Sequence, residues 1–214
     1  KKIQLNKKRC LLSLDELINR GPDKNLHNFF DKDTIFMGNS VLNITGTFKD
    51  RDGSELFSSK NKNTYLAFNG EIYNYLKLKK KASYLANYDA PYNTDTEILA
   101  EICDRPKLPK LFKQLNGMYS ISTYNIKNNR IIFATDPQGE KRLLKYEDND
   151  YLIISSTSKA IIKFLKKDSF LNNDIFCRYF KTRHFIYFKK TLNDKINYLD
   201  PGKLYEYNIN KNKL

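Results

Sequence analysis

Ala67-Phe68-Asn69-Gly70-Glu71-Ile72-Tyr73-Asn74-Tyr75 is the stretch on which the reading of this chain turns. Tyr65 to Phe68 is a short apolar run of strand character, and Asn69-Gly70 follows it directly. Asn-Gly after such a run predicts a sharp turn. There the Asn side-chain amide and the glycine N–H can converge as two donors on one point, which is what a developing oxyanion requires. An ordinary hairpin turn is by far the commoner use of the same two residues, so the dipeptide alone favours that reading and only the surrounding chain argues for the other.

Toward the C-terminus, Thr94-Asp95-Thr96-Glu97 fits a capping box, and Ile98, Leu99 and Ile102 continue at helical spacing. A carboxylate at position 95 is favoured by the helix dipole alone, whatever else it does. Gly117 to Asn125 alternates with period two, and Asn128-Asn129 predicts a hairpin turn into Arg130–Thr135. A strand over Tyr151–Ser156, helices over about Ser158–Leu165 and Asn173–Lys181, and a last strand over Gly202–Ile209 complete that half. Toward the N-terminus, residues 49–63 are polar, with a turn at Asp52-Gly53. Thr34 to Ile44 predicts a strand broken at Gly38-Asn39. Leu11, Leu12, Leu14, Leu17 and Ile18 recur at helical spacing, so a first helix is expected over Lys8–Asn19, stopped by Gly21-Pro22. Helices and antiparallel strands mixed in this way point to an α+β layered fold rather than a doubly wound sheet.

Hydrophobic residues make up 40% of the chain, enough for a packed core, so disorder is not expected. No apolar run approaches the roughly 20 residues that span a bilayer, and the first residues lack the apolar segment of a secretory signal. No membrane association and a cytoplasmic location are therefore expected. Cys10, Cys103 and Cys177 form no CxxC pair and lie far from His27 and His184, which argues against a metal site and for isolated buried thiols. The net charge is +14, but the lysines are dispersed and no nucleic-acid-binding motif accompanies them, so nucleic acid is not an expected partner. Any association with DNA or RNA should be weak and fall steeply with salt. Fluorescence anisotropy checks this: submicromolar, sequence-selective binding at physiological salt would contradict it.

The nonapeptide closely resembles the glutaminase domain of asparagine synthetases, a class II, N-terminal-nucleophile glutamine amidotransferase. Further matches follow in order along the chain. Arg20-Gly21-Pro22-Asp23 resembles the family's His-Arg-Gly-Pro-Asp, with Asn19 in place of the His. Thr94-Asp95-Thr96-Glu97, Leu115-Asn116-Gly117-Met118-Tyr119, the run from Phe133 to Lys141, and Tyr198-Leu199-Asp200-Pro201-Gly202-Lys203 are each similar to a family motif. The resemblance implies a four-layer αββα sandwich of two facing antiparallel sheets, Ntn-hydrolase-like, over residues 1–214. It implies that glutamine is hydrolysed to glutamate and ammonia for ATP-dependent amide formation on a carboxylate. An N-terminal cysteine would attack the side-chain amide with its own α-amino group as base. Asn69 and the Gly70 N–H would form the oxyanion hole, and Glu71 and Asp95 would hold the substrate ammonium. No cofactor is implied for these residues. ATP and Mg²⁺ belong to a synthetase domain of the same polypeptide, toward which the chain leads from about residue 200, and a homodimer is left open.

The sequence departs from the family pattern in several places. Residue 1 is Lys, and Cys10 lies within a predicted helix with no free amino group, so the nucleophile and the first strand would precede Lys1. A chain without a terminal Cys, Ser or Thr is expected not to hydrolyse glutamine by itself. Val41 occupies the place of the arginine that clamps the glutamine carboxylate, and Thr135 and Thr157 replace an Arg and a Glu. Two readings stay open on this basis: an active glutaminase, and a catalytically silent scaffold domain of an asparagine-synthetase-like protein.

Overall fold

The computed structural model describes residues 3–42, 53–81, 94–105, 108–166, 171–184 and 189–209. In chain order the elements are α1 (Lys7–Asp15), β1 (Lys24–Phe30), β2 (Ile35–Val41), β3 (Phe57–Ser58), β4 (Thr64–Ile72), α2 (Tyr75–Lys81), α3 (Asp95–Cys103) and α4 (Leu108–Phe112). They continue with β5 (Gly117–Asn125), β6 (Arg130–Thr135), β7 (Leu144–Glu147), β8 (Leu152–Ser155), α5 (Ser158–Leu165), α6 (Asn173–Thr182), β9 (Ile196–Tyr198) and β10 (Leu204–Asn208). Every described strand pairing is antiparallel, which makes the class α+β as expected. The chain divides into two compact units, Lys1–Leu42 with Arg142–Asp200, and Asn43–Lys141 with Pro201–Leu214.

In the first unit, the Asn6 side chain caps α1 by accepting from the Arg9 N–H at 3.0 Å, and Cys10 and Leu14 form its buried stripe. The helix ends at Asp15, short of the expected Asn19. From there the chain tightens into i→i+3 bonding, with the Leu17 N–H on the Leu14 carbonyl at 2.9 Å and the Arg20 N–H on the Leu17 carbonyl at 2.8 Å. The strand expected from Thr34 is not broken at Gly38-Asn39: both residues pair with β1, opposite His27 and Leu26. Gly38 is there because a Cβ would lie 2.9 Å from the Leu14 side chain, so the glycine lets α1 lie close to β2. The Asn43 and Ile44 end of that predicted strand, and Asp52 of the predicted turn, lie outside the described residues. A three-stranded sheet, ordered β8-β7-β9, and α5 share a core of Leu144, Tyr146, Ile161 and Ile196. Thr157, where the family pattern has Glu, caps α5 by accepting from the Ala160 N–H at 3.3 Å.

The second unit is a five-stranded sheet ordered β10-β6-β5-β4-β3 with α3 packed on β3 and β4. Gly117–Asn125 and Arg130–Thr135 are strands with the predicted bounds, joined through Asn129 at φ 50°. Leu66, Ile98 and Ile121 are fully buried between α3 and the sheet. Each such side chain contributes about 1.5–3 kcal/mol of transfer free energy. Asp136, directly after β6, is also fully buried. Its carboxylate accepts from the backbone N–H groups of Glu140 at 2.9 Å, Lys141 at 3.0 Å and Tyr119 at 3.3 Å. Its own carbonyl accepts from Gly139 at 3.1 Å and from Gly202 at 2.9 Å, which fastens the approach to β10 onto the same turn.

Burial alone would push the Asp136 carboxyl up, but the backbone N–H groups of Lys141, Glu140, Tyr119 and Gly139 together hold it below its ordinary value. A folded-state pKa below the unfolded value of about 3.9 means that the stabilisation is complete above pH ~4. It is lost as pH falls through the lower, folded-state pKa. Asp136→Asn is expected to cost about 2 kcal/mol at neutral pH, because buried N–H groups lose an ionised acceptor. Denaturant titrations of both proteins between pH 7 and pH 2 test this: the difference between them should shrink below pH ~4, and a constant difference would contradict the assignment.

Candidate functional site

The Asn69-Gly70 dipeptide is not a turn. β4 runs through it to Ile72, and Asn69, Gly70, Glu71 and Ile72 pair with Ser120, Tyr119, Met118 and Gly117 of β5. Gly70 has φ +143°, and a Cβ on it would sit 2.0 Å from the Met118 carbonyl oxygen. Gly117, at φ +157°, is its counterpart two residues along, with the Glu71 carbonyl oxygen 2.0 Å from its Cβ position. The two backbones therefore approach with no space for a side chain at either position, and each glycine's identity is set by the facing strand.

The ladder also decides where the Gly70 N–H points. Tyr119, opposite Gly70, directs its N–H and C=O toward Asp136, away from β4. In an antiparallel ladder that makes Gly70–Tyr119 a non-hydrogen-bonded pair, and the Gly70 N–H faces the other edge of β4. On that edge β3 covers only Leu66 and Tyr65. The donor lies beyond the end of β3, on an edge of β4 that no strand covers among the described residues. The N–H of Ile72, two residues further along the same edge, donates to Asp95 Oδ2 at 2.9 Å. Past the strand, the Tyr73 N–H donates to the Asn116 carbonyl at 2.8 Å. The Asn74 amide donates to the Gln114 carbonyl at 2.8 Å and accepts from the Asn116 N–H at 3.0 Å. Asn74 thereby clamps the segment leaving β4 to the one entering β5.

Asp95 opens α3 as expected, with Thr94 as N-cap and a complete capping box to Glu97. The other end of α3 is held too. The Lys60 N–H donates to the Glu101 carboxylate, and Asp104 accepts from Thr64 Oγ1 at 2.7 Å and from the Asn125 amide at 3.3 Å. Asn69, Gly70, Glu71 and Asp95 are thus brought to one strand end and the helix start bonded to it. Asn69 is half-buried and Glu71 is exposed. Val41 closes β2 in the other unit, opposite Lys24. The sequence alone assigns no role to Asn74 or to the Ile72 N–H. Asn74 is visible there as the second Asn of the nonapeptide, whereas a backbone donor has no sequence signal. Cys10 is 1% exposed and burial pushes its thiol up to about 11, far from a thiolate nucleophile at neutral pH. Cys103 is buried as expected, but Cys177 is exposed on α6, against the expectation of three buried thiols.

The chain belongs to the glutamine amidotransferase domain family, whose model matches residues 2–214. Within it, the chain is similar to glutamine-hydrolysing asparagine synthetases. It is 26% identical to asparagine synthetase 1 of Bacillus subtilis over 187 residues, 87% of this chain and 28% of that protein. It is 30% identical to asparagine synthetase 1 of Saccharomyces cerevisiae over 173 residues, 78% of this chain and 27% of that protein. The chain thus matches less than a third of the length of these relatives. Among solved structures, the allosteric regulatory enzyme of purine biosynthesis covers 95% of this chain with a TM-score of 0.64 at 18% identity, over 44% of its own chain. Glutamine phosphoribosylpyrophosphate amidotransferase of Bacillus subtilis covers 97% of this chain with a TM-score of 0.62 at 16% identity, over 46% of its own chain. These two likenesses establish the Ntn-type amidotransferase fold.

The close approach of the two strands predicts that Gly70→Ala and Gly117→Ala each destabilise by at least about 2 kcal/mol, through a backbone clash and an unfavourable φ. Because the two clashes fall on the same strand approach, two residues apart, the double variant should cost clearly less than the sum. Urea denaturation midpoints check this, and strict additivity would show that the two glycines act separately.

Proposed function

We propose that this chain is the glutamine-binding domain of an asparagine-synthetase-like amidotransferase, and that Asn69 and the Gly70 N–H form its oxyanion hole. What supports the reading is the Gly70 N–H on the edge of β4 beyond β3, with Asn69 as its neighbour in the strand and two acids, Glu71 and Asp95, at the same strand end. Glutamine needs donors at its side-chain carbonyl and negative charge at its ammonium, and this cluster supplies both. In the active form the α-amino group of an N-terminal cysteine takes its thiol proton, and the thiolate adds to the amide carbon. The oxyanion, held by Asn69 and Gly70, collapses as the α-ammonium returns the proton to the leaving nitrogen, which departs as ammonia. Water then hydrolyses the thioester to glutamate. The ammonia serves amide formation on a carboxylate in a synthetase domain that uses ATP and Mg²⁺.

The second reading, a silent scaffold, is favoured by Val41, which offers no cation to the α-carboxylate where the family pattern has arginine. Loss of a bidentate guanidinium weakens recognition of a buried carboxylate by several kcal/mol, on the order of 2–5. Titration calorimetry separates the two readings. L-glutamine should bind in roughly the micromolar-to-millimolar range, Glu71→Ala should weaken binding about tenfold or more, and Val41→Arg should tighten it. No heat from either the natural chain or Val41→Arg would decide for the scaffold.

A further inference from the structure

We infer that Asp95 is a positioning residue for the oxyanion donor: it fixes the edge of β4 at Ile72 and so aims the Gly70 N–H. The inference rests on the reading of Gly70 as that donor. Among the described residues, the edge of β4 that carries the Gly70 N–H has a paired strand only as far as Leu66, where β3, Phe57 and Ser58, lies against it. An uncovered strand edge is free to fray, and a glycine with positive φ resists peptide rotation less than any other residue. On the other side of β4 the ladder to β5 holds alternate residues, but Gly70 is one of those it leaves unbonded. Beyond β3, the Ile72 N–H donates to Asp95 Oδ2 on that edge, two residues past Gly70.

Asp95 suits that task because both ends of its helix are tied down. The capping box fixes the start of α3, Glu101 and Asp104 fix its end, and every residue from Glu97 to Cys103 is buried. The carboxylate is itself oriented, because Thr96 Oγ1 donates to its other oxygen, Oδ1, at 3.2 Å. Each oxygen thus has a protein partner without any ligand. A carboxylate whose purpose was only to meet a substrate ammonium would need neither bond.

The two roles separate by substitution. Asp95→Asn keeps an oxygen that can accept from the Ile72 N–H, and its amide can donate to the Thr96 hydroxyl, but the charge is gone. Asp95→Ala removes both the acceptor and the charge. Backbone NMR on this chain without ligand reads the positioning directly. In Asp95→Ala, Ile72 amide exchange should accelerate tenfold or more, and the Gly70 order parameter should fall from about 0.85 to below about 0.6, while the β5–β6 hairpin keeps its protection. Asp95→Asn should stay within threefold of the natural chain in exchange and keep the Gly70 order parameter. Thr96→Ala, which leaves the helix cap in place, should give an intermediate loosening and serves if Asp95→Ala does not fold. The inference is overturned if Asp95→Ala or Thr96→Ala leaves Ile72 and Gly70 unchanged, if Asp95→Asn behaves like Asp95→Ala, or if loosening spreads evenly through the sheet. Failure of the glutamine reading would show separately, as absence of L-glutamine binding in a chain whose Gly70 is still held.

Discussion

At the end of the β4–β5 ladder two backbones meet without side chains between them, and the candidate site is built outward from that contact. Gly70 lies against the carbonyl of Met118, and Gly117 against the carbonyl of Glu71. The contact fixes the register of both strands, because a shift by one residue would bring a Cβ into a space that holds only a carbonyl oxygen. Register in turn sets parity, and parity sends the Gly70 N–H to the outer edge of β4 rather than into the ladder. The donor's direction is therefore a consequence of strand pairing.

The helix on that sheet transmits the constraint. α3 is bonded to the sheet through Thr64 and Asn125 at one end and through Ile72 at the other. It bridges β4 like a splint past the point where β3 ends. The apolar contacts of Ile98 and Leu99 hold the helix down, and the polar bonds at its ends set its position along the sheet. Asn74 adds a second restraint by joining the exit of β4 to the entry of β5.

What the sequence made legible is what is encoded locally. The capping box at Thr94, the alternation of Gly117–Asn125 and the helix Ser158–Leu165 each carry their signal within a few residues, and the structure has them there. β1, β3, β7 and β9 escaped because they are irregular in pattern or very short. β7 pairs with β8 and also with β9 some fifty residues later, and the second pairing is one that no local window registers. The reversal between β1 and β2 uses three successive left-handed residues, Asp31, Lys32 and Asp33, without a glycine, so its turn chemistry was not recognised. Asn69-Gly70 misled in the opposite sense. Its glycine answers to the facing strand rather than to a change of chain direction. The four residues of the candidate site were found through the resemblance of a motif, while the bonds that orient them run through backbone groups that every sequence possesses.

Asp136 shows how this protein carries charge in two separate ways. The chain bears +14 overall, and most of that charge interacts with solvent and ions. The buried carboxylate after β6 is neutralised instead by a ring of amide dipoles, with no ion pair to a cation among the described residues. Mobile ions screen interactions across water within about 10 Å at 0.1 M salt, but they do not enter a site closed to solvent. The repulsion among the lysines will therefore rise and fall with ionic strength, while the junction that ties β6, the 136–141 turn and β10 together remains indifferent to it.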